Sequence, residues 1–303
     1  MSDKTQCKGY FMAFTPITLS EHDLYYSFWQ KTPCHSIDYT LANIWGWQQY
    51  FGLTWSQTDA LCWLQQTLPS PVFWAPLGDW EHVDWEKALS ELSASPKTFI
   101  RVPETLLTIW QEQIPERMTI TEDRGQWEYL YQQSDLANLP GKNYHKKKNH
   151  CSSYVRAYGE PDYRELDDNM VEDVLGLQDE WCQWHECEDS TSLKAENSAI
   201  NQVLSHWQFF KDMSGGALYI DGRIAAFSIG ERLDAQNLGV HYEKGLLGYK
   251  GIYQTINREF ARHAGEGFSL INRAQDLDEE GLRMAKTSYH PVAFLKKYRV
   301  TVQ

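Results

Sequence analysis

Residues 216–245 read GALYIDGRIAAFSIGERLDAQNLGVHYEKG, and this stretch sets the fold of the chain around it. Two runs of β-forming residues flank Asp221-Gly222. An Asp-Gly pair favours a primed turn, whose twist matches that of paired strands, so the two runs form a hairpin. DAQN turns the chain again, and LGVHYEKG supplies a third strand. Gly245, Gly248 and Gly251 crowd the exit from that strand. Ile252, Ile256 and Phe260 then recur at the spacing of one helix face.

Outward from the meander, FSLINRAQD reads as a strand and EEGLRMAKTSY as a short helix stopped near Pro291. AFLKKYRVTV reads as a closing strand. Upstream, Val174, Leu177 and Trp181 mark a helix over 172–184, and Leu193, Ile200, Leu204 and Trp207 another over 192–210. The order is helix, helix, three meandering strands, helix, strand, helix, strand, which is an α+β pattern. The first half is less regular. LTWSQTDALCWLQQ, SPVFWAPLG and KTFIRVP read as strands, and DWEKALSELSAS and ETLLTIWQEQI as helices. Gly159 and Pro161 break the helix that begins at the lysine cluster LPGKNYHKKKNH, residues 139–150. This puts a boundary at residue 158, between an N-terminal domain, 1–158, and a C-terminal domain, 159–303. The two halves read as similar α+β units without a clear repeat.

Of 303 residues, 42% are hydrophobic and 23% charged, which suits a packed core. Ten of the 13 tryptophans precede residue 130. They imply an aromatic core in the first half or, alternatively, a stacking surface for sugars or bases. The formal net charge of -13 argues against non-specific binding to nucleic acid or anionic lipid. Charge is uneven, however. Residues 160–189 carry twelve acids and one base, whereas 281–303 carry five bases and no acid. If the fold joins that basic tail to the lysine cluster, together they make an anion site. The six cysteines are dispersed without a CxxC, which fits free thiols in a reducing compartment. Cys182-x-x-His185-x-Cys187 lacks a second ligand pair for a metal, and DLDEEG, 276–281, has Thr287 where a calcium loop needs Glu. With no apolar run of membrane length and no leader pattern, a cytoplasmic protein without membrane insertion is expected.

Several residues could carry chemistry. The glycine turn is either a plain turn or a cradle where a phosphate meets the amides of a helix start, with Gly248, Lys250 and Gly251 as contacts. On a helix from Lys142, Lys148 lies beside the apolar face of Tyr144, Cys151 and Val155, with Lys147 flanking it. Both lysines either snorkel or reach an anion. His241 and Glu243 are two apart on the third strand and share a face if that strand is regular, so either could act as a base; alternatively Glu243 pairs with Lys244 or Arg273. Asn272 and Arg273 end a strand, where ligands often bind. Arg273, Arg283 and Lys286 suit a carboxylate or phosphate. Asp276 either takes an amino group, caps the next helix or pairs with Arg283.

The helix–meander–glycine-turn–helix–strand order resembles a GNAT-type N-acyltransferase, although the chain has no copy of the usual (Gln/Arg)-x-x-Gly-x-(Gly/Ala) motif. Taken together, LPGKNYHKKKNH, AAFSIGERL, VHYEKG, YQTINREFA, ANIWGW and INRAQDLDEEGLRMAKTSYHPVAFLKKY resemble a bacterial family related to the C-terminal domain of phosphatidylglycerol lysyltransferase. The resemblance covers most of the chain and is most specific in its C-terminal block. It implies two tandem GNAT-like domains, each a twisted mixed sheet flanked by helices, with Fem-type aminoacyltransferases among the relatives. It also implies transfer of an acyl or aminoacyl group to an amine or hydroxyl. Acyl-CoA as co-substrate or aminoacyl-tRNA would be the donor, with no tightly bound cofactor, and Tyr289 would protonate the leaving group, the alternative being a core tyrosine with a bonded hydroxyl. The alternative is a non-catalytic module that senses coenzyme A or a charged metabolite.

Overall fold

Two seven-stranded sheets organise the residues described by the computed structural model, 12–93 and 95–303. The first sheet contains β1 (Thr15–Pro16), β2 (Thr54–Gln57), β3 (Leu61–Gln66), β4 (Val72–Gly78), β5 (Lys97–Pro103), β6 (Met118–Glu122) and, from the far end of the chain, β14 (Lys297–Val302). The second contains β7 (Glu128–Gln132), β8 (Asp162–Glu165), β9 (Met213–Ile220), β10 (Arg223–Arg232), β11 (Asn237–Gly245), β12 (Leu270–Asn272) and β13 (Ala293–Leu295). Their orders are β1-β2-β3-β4-β5-β14-β6 and β8-β9-β10-β11-β12-β7-β13.

These two orders are one pattern. Four antiparallel strands are followed by a parallel pair, β4 with β5 or β11 with β12. An antiparallel strand is then inserted, and an antiparallel edge strand closes the sheet. The inserted strand always comes from the other half of the chain: β14 in the first sheet, β7 in the second. The fold is therefore α+β: two mixed sheets of one strand order, each flanked by helices.

The compact units follow the sheets and not the midpoint of the sequence. The first comprises 1–34, 51–122 and 297–303, and the second 35–50 and 123–296. The cut expected at residue 158 runs inside the second unit, because β7 and the lysine helix pack there. The expected closing strand is also two strands, β13 and β14, in different sheets.

In the first unit, α1 (His22–Trp29), α3 (Trp85–Ser90) and α4 (Glu104–Gln113) accompany the sheet. Its core is aromatic, as expected: the Trp110 ring lies 5.3 Å from Trp85 and 5.0 Å from Phe99, edge to face. Such offset geometry adds to the area that each ring buries.

In the second unit, Asp221 and Gly222 both have positive φ, 52° and 78°, as a primed turn between β9 and β10 requires. The helix after the glycine turn, α9 (Ile252–Arg262), packs through Ile252 and Ile256 near Ala226 and through Phe260 near Leu238 and Val240. Beside it lie α5 (Gln133–Asn138) and the lysine helix α6 (His145–Tyr158), which ends at Gly159 with φ 87°, where a Cβ would be strained. The unit also holds α7 (Val171–Trp184), α8 (Thr191–Leu204), α10 (Glu280–Thr287) and most of α2 (Leu41–Phe51). Gly46 of α2 lets that helix approach Ala199 and Val203 of α8.

The free-thiol expectation fails for one pair, because Cys182 and Cys187 form a disulfide. Helix α7 stops at Trp184 and Glu186 turns left-handed, with φ 50°, which brings the two Cα atoms to 5.0 Å. Cys62 and Cys151 are free, and Cys7 lies outside the described residues. Among the described residues no helix is long and apolar enough to cross a membrane.

Candidate functional site

The parallel pairing of β11 with β12 covers only Asn237–Gly239 and Leu270–Asn272. Strand β11 runs on to Gly245 beyond that pairing, while the chain leaves β12 through Arg273 and the left-handed Ala274, φ 55°. The residues that follow are braced by side chains. Asn272 is buried, accepts from the Ala274 amide at 3.0 Å and donates to buried Glu128 at 2.5 Å. Asp276, with no exposed surface, accepts from Tyr129 at 2.6 Å, Arg124 at 3.1 Å, both Arg283 donors at 2.8 and 2.9 Å, and the Asp278 amide at 2.9 Å. Burial raises the Asp276 carboxyl, but Arg283, Tyr129, the Asp278 amide and Arg124 outweigh it and hold the group far below the usual carboxylate range. Of the alternatives for Asp276, pairing with Arg283 is the one realised. Asn272, Asp276 and Arg283 thus form a brace, with Arg283 Nε and Nη2 committed to Asp276 and Asp278.

The braced segment presents Arg273. Its guanidinium donates to Glu243 Oε1 at 3.1 Å, and Asn257 of α9 donates to Glu243 Oε2 at 3.1 Å. Tyr289 lies under the same guanidinium, 4.9 Å from ring centroid to Cζ, with Tyr131 at 5.9 Å. Lys147 Nζ sits 4.0 Å from the Tyr289 ring centroid. Lys286 Nζ donates to the Arg273 carbonyl oxygen, while Tyr131 donates to the Lys286 carbonyl oxygen at 2.8 Å. Five of the expected residues, Glu243, Arg273, Lys286, Tyr289 and Lys147, therefore meet at one corner.

Burial and proximity reset the protonation of this corner. Burial, reinforced by the charge of Arg273, lowers Lys286 to about 7 and lowers Lys147 in the same direction. Burial pushes the Tyr289 phenol well above its ordinary value despite the opposing guanidinium, so it keeps its proton at neutral pH. Two buried polar atoms beside Glu243 have no partner among the described residues, Asn257 Oδ1 and Ser228 Oγ. Ser228 stands directly across from Glu243 in the β10–β11 register.

Other expected members lie elsewhere. Ile229 faces Tyr242 and Gly230 faces Val240, so His241 is the extra residue of a bulge. The period-two rule fails across it, and the imidazole pairs with buried Glu231 at 3.0 Å instead of joining Glu243. The glycine turn is met by protein. Gly251, φ 77°, abuts the His150 carbonyl, and the Tyr158 hydroxyl accepts from the Lys250 amide at 3.0 Å and donates to the Gly248 carbonyl at 3.4 Å. Lys148 is exposed. Tyr154, not Val155, centres the buried face of α6, and this rotates Lys147 inward. Sequence reasoning missed Tyr131, Tyr129, Arg124 and Glu128, which precede the expected boundary. The alternation in EYLYQ, which puts Tyr129 and Tyr131 on one face, was the available signal.

The family described as phosphatidylglycerol lysyltransferase, C-terminal, matches residues 30–301. A conserved protein of unknown function from Bacteroides thetaiotaomicron is similar at 28% identity and a TM-score of 0.85, over 97% of this chain and 100% of that one. The C-terminal domain of a putative lysylphosphatidylglycerol synthetase from Agrobacterium fabrum shares the fold at 12% identity and a TM-score of 0.64, over 94% and 92%. L-PGS from Bacillus licheniformis does so at 10% and 0.64, over 92% and 91%. An uncharacterised protein of Mycoplasmoides gallisepticum is 25% identical over 57% of this chain and 56% of its own length, so the chain spans little more than half of that relative.

Proposed function

The chain belongs to the phosphatidylglycerol lysyltransferase C-terminal family, and from that premise we propose that it moves an acyl or aminoacyl group to an amine or hydroxyl acceptor. The donor is acyl-CoA or aminoacyl-tRNA. The observation that supports this reading best is the corner beyond the β11–β12 pairing, where a carboxylate, a guanidinium and a proton-bearing phenol meet.

Acyl transfer needs a proton acceptor for the nucleophile, positive charge beside the tetrahedral oxyanion and a proton for the leaving group. Glu243 takes the first role. Asn257 and Arg273 each hold one of its oxygens, and an ionised carboxylate has lone pairs beyond those two. Arg273 takes the second role, held between Glu243 and the ring of Tyr289. Tyr289 takes the third, because burial keeps the phenol protonated. His241, tied to Glu231, has no part. The net charge of -13 favours a small phosphorylated donor over the wide phosphate footprint of tRNA.

The packed glycine turn favours a second reading, a binding module without chemistry. Turnover separates the two. Wild-type protein is incubated with each donor and a panel of amines and alcohols, and acylated product is followed by mass spectrometry. Glu243→Gln is expected to lower the rate by about 10²–10⁴-fold. Donor binding with no product from any acceptor supports the second reading.

A further inference from the structure

Acyl transfer at Glu243, Arg273 and Tyr289 leaves two cations without a task. Lys147 enters from α6 and rests over the Tyr289 ring. Lys286 enters from α10, bound to the Arg273 carbonyl and 5.9 Å from the Tyr129 ring centroid. With Arg273 between them, three cations from three separate segments converge on one aromatic-walled place. Glu243 is the carboxylate that ion-pairs with this group, through Arg273. The other carboxylates within electrostatic reach of Lys286 are Asp276 and Glu128. Asp276 is engaged by Arg124 and Arg283, and Glu128 by Ser36 and Asn272.

Gathering like charges away from water is costly unless an opposite charge arrives. Burial and the neighbouring guanidinium ease proton loss here, to about 7 at Lys286 and in the same direction at Lys147. An arriving anion would reverse that loss, so its binding is coupled to proton uptake. Three cations against one carboxylate match a doubly charged group better than a singly charged one. Among the described residues the Ser228 hydroxyl, across from Glu243, has no partner and can donate to such a group.

We propose that Lys147, Arg273 and Lys286 form a subsite for a phosphoryl group of the substrate. The guanidinium supplies directed N–H donors, and the two ammonium groups act as flanking point charges. This deepens the transfer reading and rests on it for the identity of the substrate, but the binding is measurable without turnover. The phosphoryl group could belong to a nucleotide-like donor or to a glycerophosphate headgroup on the acceptor.

The test is calorimetric titration of the full chain with inorganic phosphate and pyrophosphate, against acetate as the singly charged control, in buffers of different ionisation enthalpy. The expected result is phosphoryl binding with proton uptake near neutral pH, much tighter than acetate. Lys147→Met and Lys286→Met should each weaken it by about tenfold or more, the loss expected for one charge-assisted contact. Circular dichroism verifies that both variants fold. Competition by coenzyme A assigns the group to the donor, and competition by glycerol 3-phosphate assigns it to the acceptor. Equal affinity in wild type and both variants, or equal binding of phosphate and acetate, overturns the subsite. Lysine-dependent phosphoryl binding by a protein that transfers nothing removes the transferase and keeps the subsite. Transfer indifferent to both lysines does the reverse.

Discussion

The two units share a strand order and differ in what they place at the parallel junction. In the first, β4 is buried along its whole length, and its pairing with β5 sets Phe73 against Phe99 and Trp74 against Ile100. The nearby guanidinium of Arg101 is stacked 4.1 Å over Trp74. In the second, the corresponding strand carries Glu243 past the end of its pairing, toward Arg273, Tyr289 and two lysines. Rings close the junction by burying area, whereas charges buried there must be paired or changed in protonation. One topology therefore closes on rings in one unit and gathers charged groups in the other, and side chains alone make the difference.

The largest expected effect concerns what the units have in common. Because each sheet takes an inserted strand from the other half of the chain, fragments 1–158 and 159–303 should each lack cooperative unfolding when produced alone. They should regain it when co-expressed, as followed by circular dichroism and size exclusion. Independent folding of either fragment would break the equivalence of β7 and β14.

Next in size is the cost of opening the aromatic junction. Trp110→Ala should destabilise the protein by about 3–5 kcal/mol in denaturant titration, because a fully buried ring leaves a cavity. Glu243→Gln, which keeps a hydrogen-bonding side chain, should cost under about 2 kcal/mol. Reversed magnitudes would mean that the polar corner is the structural centre.

A smaller effect is set by pH. Lys286 has an ordinary value of 10.5 in the unfolded chain and about 7 in the fold. Between these values the unfolded chain binds more protons, so the contribution of this group to stability rises as pH climbs through the window and is lost as pH falls. Denaturant titrations at two pH values inside the window should show a steeper rise for wild type than for Lys286→Met. Matching slopes would place Lys286 in water. The smallest effect is at Lys148, exposed on α6, where substitution by Ala should change stability by under about 0.5 kcal/mol and leave phosphate affinity unchanged. An effect equal to that of Lys147 would return the anion site to the outer face of that helix.

What the sequence revealed and hid follows from the range of each interaction. The Asp221-Gly222 hairpin, the α9 stripe of Ile252, Ile256 and Phe260, and the Gly159 stop obey local rules and were legible. The exchange of β7 and β14 was not, because pairing between distant strands leaves no local mark. The bulge at His241 hid in a run that reads as regular alternation. At the site, Glu243, Arg273, Lys286 and Tyr289 were recognisable by type. Their partners Tyr129, Tyr131 and Lys147 were harder to assign, since they come from segments far upstream and only the fold sets their facing.

The central claim is that chemistry resides in the second unit, at Arg273 and its neighbours. The direct measurement is acyl transfer, normalised to folded protein, for Arg273→Met beside Arg101→Met. Loss of at least about 10²-fold for the first, with the second near wild type, is the predicted result. Equal rates, or the greater loss at Arg101, would contradict it.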